Sequence, residues 1–198
     1  KARAVVWNFP DAIPQHREPI YSPRPDLVAK YPTHADKAAF WRLNTLYKTI
    51  QDKNKDISKD FPLILTSGRL VEYEGGGDET RSNPWLAELQ QENFIEISTK
   101  DANDRSIVDG EYVWVQSPTG AKITVKAMVT DRVGPGTTFI PFHFAGWWQG
   151  KDMLEFYPEG AAPIVRAEAV NTATTYGYDA VTMMQETKTT LCQVAKKA

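Results

Sequence analysis

This 198-residue chain is poor in the residues that build several common kinds of site. Its one cysteine, Cys192, excludes an internal disulfide framework, a cysteine-rich zinc site and a self-contained iron–sulfur cluster. Three histidines, His16, His34 and His143, stand too far apart in sequence to suggest a histidine-built metal centre. No apolar run approaches the roughly 20 residues that a membrane-spanning helix needs. Positive charge is not in excess: 23 Lys and Arg face 25 Asp and Glu, a formal charge of −2. That balance argues against a nucleic-acid binder and against a polybasic membrane patch. No GxSxG, HExxH or P-loop pattern occurs. The chain begins at Lys1 with no apolar leader-like stretch and reads as a processed product or a piece of a larger polypeptide.

What is present falls into two textures. Residues 1–34 hold Pro10, Pro14, Pro19, Pro23, Pro25 and Pro32, each of which fixes φ and removes a donor, so neither helix nor sheet is expected to propagate there. Trp7, Phe9, Tyr21 and Tyr31 lie among them, which is unlike a disordered linker. An extended arm that packs on another surface is the reading, followed by a helix over 35–55 with Trp41, Leu43, Leu46, Tyr47 and Ile50 on one face. Residues 1–60 are therefore expected to pack on other polypeptide, and 61–198 to form the folded domain.

From Phe61 onward the pattern predicts strands. The run from Phe61 to Leu65 reads as a strand that enters a turn at Thr66-Ser-Gly-Arg69. Gly75-Gly-Gly-Asp78 is a loop, either mobile or closely approached. Asn83 is placed to cap a short helix with Pro84 in its first turn. Phe94–Ile97 alternates as a strand, and Ser98 precedes a short helix over 99–105. Turns at Asp109-Gly110, Ser117–Gly120 and Val133–Gly136 introduce strands at Tyr112–Val115, Ile123–Val129 and Thr138–His143. A last strand is expected within 182–194. Short strands at this spacing argue for a β-barrel or sandwich.

For chemistry, Cys192 reads as a buried structural thiol and the carboxylates Glu72, Glu74, Asp78 and Glu79 as a solvated loop. The segment Thr66-Ser-Gly-Arg69 combines hydroxyls, a glycine amide and a guanidinium. It is either an anion site, with bidentate charge-assisted bonds to phosphate, or a tight turn with a surface arginine. Phe142-His-Phe-Ala-Gly-Trp-Trp148 puts five rings in seven residues, suited to line a pocket or to bury against a partner domain. His143 taken alone reads as a hydrogen-bonded core histidine.

Read in order, Leu63-Ile-Leu-Thr-Ser-Gly-Arg69, Asn83-Pro-Trp-Leu86, Phe94-Ile-Glu-Ile97 with Asp101-Ala102, Ile107-Val-Asp-Gly110 with Val113-Trp-Val115, Ser117-Pro-Thr-Gly120, Val129, Gly136 and Phe142-His143 form a familiar series. It resembles the C-terminal molybdopterin-dinucleotide-binding domain of the dimethyl-sulfoxide-reductase family of molybdenum and tungsten oxidoreductases. The text from Leu70 to Trp85 looks most like the large (alpha) subunit of a formate dehydrogenase. The resemblance implies a mainly β fold with short helices, a six-stranded double-psi β-barrel behind the Pro-rich arm and its helix. It implies contacts to a bis-molybdopterin guanine dinucleotide whose molybdenum or tungsten is ligated elsewhere, with no catalytic or metal-ligating residue and no iron–sulfur cluster in this chain. Carried over residue by residue, Thr66, Ser67, Gly68 and Arg69 match the loop at the pterin and diphosphate. Tyr73, His143, Asn171 and Lys188 match further cofactor-binding positions, with Tyr176 and Tyr178 close by. The implied partners are the remainder of the alpha subunit and an iron–sulfur electron-transfer subunit, with no nucleic acid and no direct membrane insertion, in a periplasmic membrane-associated complex. Departures stand at Glu72, Tyr73 and Glu74, where relatives often carry a histidine, and at Gly150–Tyr157. A non-catalytic double-psi recognition module, or the same domain serving nitrate, a sulfoxide or polysulfide, are the competing readings.

Overall fold

The computed structural model describes residue 16 and residues 24–32, 57–174 and 188–197. Among them the first element is a helix, α1 (Pro25–Lys30), within the stretch expected to carry none. Pro25 stands at the start of the helix, where the missing N–H costs nothing, and Pro32 lies just beyond its end. The expected helix over 35–55 and most of the arm lie outside the described residues.

Strands β1 (Leu63–Gly68), β2 (Phe94–Ile97), β3 (Tyr112–Gln116), β4 (Lys122–Val129) and β5 (Thr137–Pro141) come next. They are joined by the helices α2 (Pro84–Leu89) and α3 (Thr99–Asn103). Three short strands, β6 (Gly146–Trp148), β7 (Lys151–Asp152) and β8 (Ala167–Glu168), precede the long β9 (Thr189–Lys196). Six strands close a barrel in the order β1-β5-β2-β4-β3-β9. The pairs β1/β5 and β2/β4 run parallel and the other neighbours antiparallel, so the expected six-stranded double-psi barrel is what the chain forms.

Side-chain alternation builds the interior. Leu63 and Leu65 of β1, Val113 and Val115 of β3, Ile123 and Val125 of β4, Ile140 of β5 and Cys192 and Val194 of β9 meet Ile95 and Ile97 in one core, each at most 2% exposed. Burial of each such aliphatic side chain is worth roughly 1.5–3 kcal/mol, which is what closes the barrel. Cys192 sits among them with its thiol pushed up to about 12 by burial, an inert packing residue. Local signals held as well: the Asn83 side chain accepts from Trp85 N and Leu86 N, and the Ser98 side chain accepts from Asp101 N.

Three strand readings need correction. β1 runs on through Thr66, Ser67 and Gly68, which were expected to turn. Parallel pairing to β5 and antiparallel pairing to β9 hold these residues extended. β2 does not alternate: all four of its residues are buried, because Glu96 on the outer face is covered by Arg132. β5 ends at Pro141, which lacks the N–H to continue the ladder, so Phe142 and His143 leave the barrel. The aromatic run then feeds β6, β7 and β8, a three-stranded side sheet with no forewarning in the sequence because its strands are only two or three residues long.

Candidate functional site

At the end where β1 leaves the barrel, three pieces of chain converge. Thr66 donates from Oγ1 to Thr138 O at 2.7 Å, tying β1 to β5. The amide of Ser67 donates to Lys188 O at 3.1 Å, which lays the approach to β9 across it. The amide of Phe142 donates to Gly68 O at 3.2 Å. Gly68 lies tight against Phe139: a Cβ there would stand 2.8 Å from Cε2 of that ring, which would have to shift to make room. Ser67 Oγ is buried with no hydrogen-bond partner, an orphan that costs stability unless a ligand or water meets it.

Two cations meet at one ring in the same place. The guanidinium carbon of Arg69 lies 5.4 Å, and Nζ of Lys188 lies 5.0 Å, from the centre of the Phe142 ring. Among the described residues neither cation has a carboxylate partner, and both residues are exposed. A ring offers each exposed cation only about 0.5–1 kcal/mol and neutralises neither charge. The arrangement therefore suits an anion carrying more than one negative charge, and of the two meanings open for Thr66–Arg69 the anion site is the one this geometry favours.

Behind this strand end lies a second layer. His143 is fully buried: its Nε2 accepts from Leu70 N at 2.8 Å and its Nδ1 lies 2.8 Å from Gly75 O. Gly77 (φ +75°) is pressed so close that a Cβ would lie 2.1 Å from His143 O, so the triple-glycine loop is the closely approached kind. Arg81, 7% exposed, donates from Nε to Gly77 O and from an Nη to Ala145 O, both at 2.9 Å. Tyr73 is buried against Phe144 and His143, its hydroxyl donates to Gln90 O, and burial raises its pKa.

The structure thus brings Thr66, Ser67, Gly68, Arg69 and Lys188 together. It sets Tyr73 and His143 directly behind them with their polar atoms engaged by backbone. Asn171 is exposed on a 3-10 turn, Val170–Thr172, packed against β4. Tyr178 and Tyr176 lie outside the described residues. Two contributors escaped the sequence reading: Phe142, signalled only by its place in the Phe142-His143 pair, and Arg81, for which the sequence carries no signal.

A closed barrel whose strand end holds a buried hydroxyl without a partner and, among the described residues, two cations without a carboxylate suits a polyanionic ligand. Comparison with known proteins agrees: the profile described as "Molydopterin dinucleotide binding domain" matches residues 63–191, and the chain belongs to that family. The F420-dependent formate dehydrogenase 2 subunit alpha of Methanococcus maripaludis is 34% identical over 164 residues, 81% of this chain. Formate dehydrogenase 2 subunit alpha (cytochrome c-553) of Nitratidesulfovibrio vulgaris is 31% identical over 69% of this chain. The assimilatory nitrate reductase catalytic subunit of Bacillus subtilis is 34% identical over 48% of it. The chain spans 21%, 13% and 13% of the length of these relatives, respectively. Among solved structures, acetylene hydratase from Pelobacter acetylenicus superposes with a TM-score of 0.53 at 18% identity, covering 79% of this chain and 21% of that one, a likeness of fold. The residues present fit a pterin dinucleotide: Arg69 and Lys188 match its diphosphate in charge, and Ser67 Oγ and the Phe142 ring offer a polar and a flat contact beside them.

Proposed function

We propose that this chain clamps a molybdopterin guanine dinucleotide within the alpha subunit of a formate dehydrogenase, a larger oxidoreductase that converts formate to carbon dioxide. The observation that carries the reading is the pair of cations, Arg69 and Lys188, at the ring of Phe142, with no carboxylate partner among the described residues, beside the orphan Ser67 hydroxyl. When bound, the pterin and its molybdenum or tungsten supply the redox chemistry. The chain's own residues bind and orient. Arg69 and Lys188 hold the diphosphate, Ser67 and Gly68 line the strand end beside it, and Tyr73 and His143 fix the loop from behind. Asn171 and Tyr178 are further proposed cofactor contacts. Positive charge held near a redox centre also favours its more reduced state. Residues 1–60 pack on the remainder of the subunit, and an iron–sulfur subunit takes the electrons. A periplasmic, membrane-associated complex of anaerobic respiration is the setting that we favour.

Formate is supported by the two formate dehydrogenase subunits above, which match over most of the chain. A second reading, nitrate as substrate, is favoured by the Bacillus subtilis relative, whose match is confined to 48% of the chain. Turnover by the full-length enzyme decides between them. Formate-dependent reduction of a viologen dye, without nitrate-dependent oxidation of the reduced dye, is the expected result; the reverse pattern contradicts the formate assignment.

A further inference from the structure

The hydrogen bonds of His143 define a single protonation state. The Leu70 N–H can only donate, so Nε2, 2.8 Å away, must be bare. The Gly75 carbonyl can only accept, so Nδ1 must carry the proton. One neutral tautomer satisfies both ends, and a doubly protonated ring would set N–H against N–H at Leu70. Leu70 is the residue after Arg69, so this bond holds the backbone that aims the guanidinium. Two rings pack on the imidazole, Phe142 tilted against it at 4.7 Å between centres and Tyr73 at 5.9 Å, while Gly77 abuts the backbone carbonyl of His143. Arg81 closes the bracket from behind by binding the carbonyls of Gly77 and Ala145.

We infer that His143 is a positioning residue that acts as a neutral-imidazole latch between Leu70 and Gly75, aiming Arg69 at the anionic ligand without touching that ligand itself. The inference rests on the anion-site reading of Thr66–Arg69 for its functional consequence, and on geometry alone for the latch. It assigns to the histidine of the Phe142-His143 pair a role one layer behind the cofactor contact that the family resemblance implies.

The test uses the full-length enzyme that contains this chain, with two readouts. Hydrogen exchange over a peptide spanning 69–73 reports the Leu70 amide, and pterin released on denaturation reports the cofactor load. In the unaltered enzyme the Leu70 amide exchanges at least about tenfold more slowly than an unprotected amide. His143→Phe keeps the ring volume but removes both nitrogens. It speeds exchange about tenfold and lowers the pterin load several-fold. His143→Gln, whose amide can accept from Leu70 and donate to Gly75, restores both to within about twofold. Because the latch acts through Arg69, the double variant of Arg69→Ala with His143→Phe loads no less pterin than Arg69→Ala alone. An unprotected Leu70 amide in the unaltered enzyme overturns the latch. So does protection that survives His143→Phe, a Gln variant as defective as Phe, or losses that multiply in the double variant. If Arg69→Ala leaves the pterin load unchanged, the anion-site reading fails, and the exchange data still decide the latch.

Discussion

Inside the barrel, Leu65, Ile97, Val115, Ile123 and Ile140 are sealed against one another with at most 1% exposure. A few residues along the chain, the bracket formed by 70–82 and 142–146 buries a histidine and an arginine, and ties each to backbone carbonyls and amides. The first region gains stability from apolar area, which is non-directional and tolerates exchange among aliphatic side chains. The second gains position from hydrogen bonds, which are directional and costly to leave unmade. A barrel can therefore be repacked and remain a barrel, whereas the bracket works in one arrangement. That contrast explains why the site grows from the strand end: apolar packing supplies a rigid platform, and the polar bracket sets the aim of one exposed arginine.

Single substitutions sharpen the contrast in order of size. Ile97→Ala, at a residue with no exposure, removes core volume with little room to collapse and is expected to cost about 2–5 kcal/mol of global stability by urea unfolding. A loss below about 1 kcal/mol would mean that the barrel is not the cooperative core. Gly77→Ala forces a side chain at φ +75° and drives its Cβ toward His143 O. It is expected to cost about 1–3 kcal/mol and to free the Leu70 amide to exchange, while amides of β3 and β4 stay protected. Equal loss across the barrel strands would erase the distinction between the two regions. The smallest effect belongs to the side sheet, where Arg166 binds both carboxylate oxygens of Asp152, at 3.0 and 2.9 Å. Hydrogen bonding to Arg166 holds the Asp152 carboxyl below its ordinary 3.8, so its contribution is present above that pH and lost as pH falls through the lowered folded value. The pair is partly exposed, so Asp152→Asn is expected to cost no more than about 1 kcal/mol at pH 7 and to flatten the acid limb of a stability–pH curve.

Much of this was legible from residue order, and the exceptions have physical causes. The Asn83 and Ser98 caps, the turn glycines at 110, 120 and 136 and the alternation of β3 announced themselves because each depends on neighbours in sequence. The straight course of Thr66–Gly68 did not, since it is imposed by β5 and β9 from more than 70 and 120 residues away. Nor did the union of Arg69 with Lys188 at Phe142, which only barrel closure creates. For Thr66–Arg69 the residue types alone could not separate an anion site from a turn. His143 read correctly as a core histidine, and its two backbone partners, 68 and 73 residues away in sequence, were not legible. Arg81 carries no local signal at all, because its partners are carbonyls that any sequence would present.

Pterin content of the full-length enzyme carrying Arg69→Ala, measured beside the unaltered enzyme and beside an exposed control substitution such as Val71→Ala, tests the central claim most directly. The account predicts that Arg69→Ala loses most of its pterin while the control keeps all of it and both remain folded. Full pterin content in a folded Arg69→Ala enzyme would contradict it.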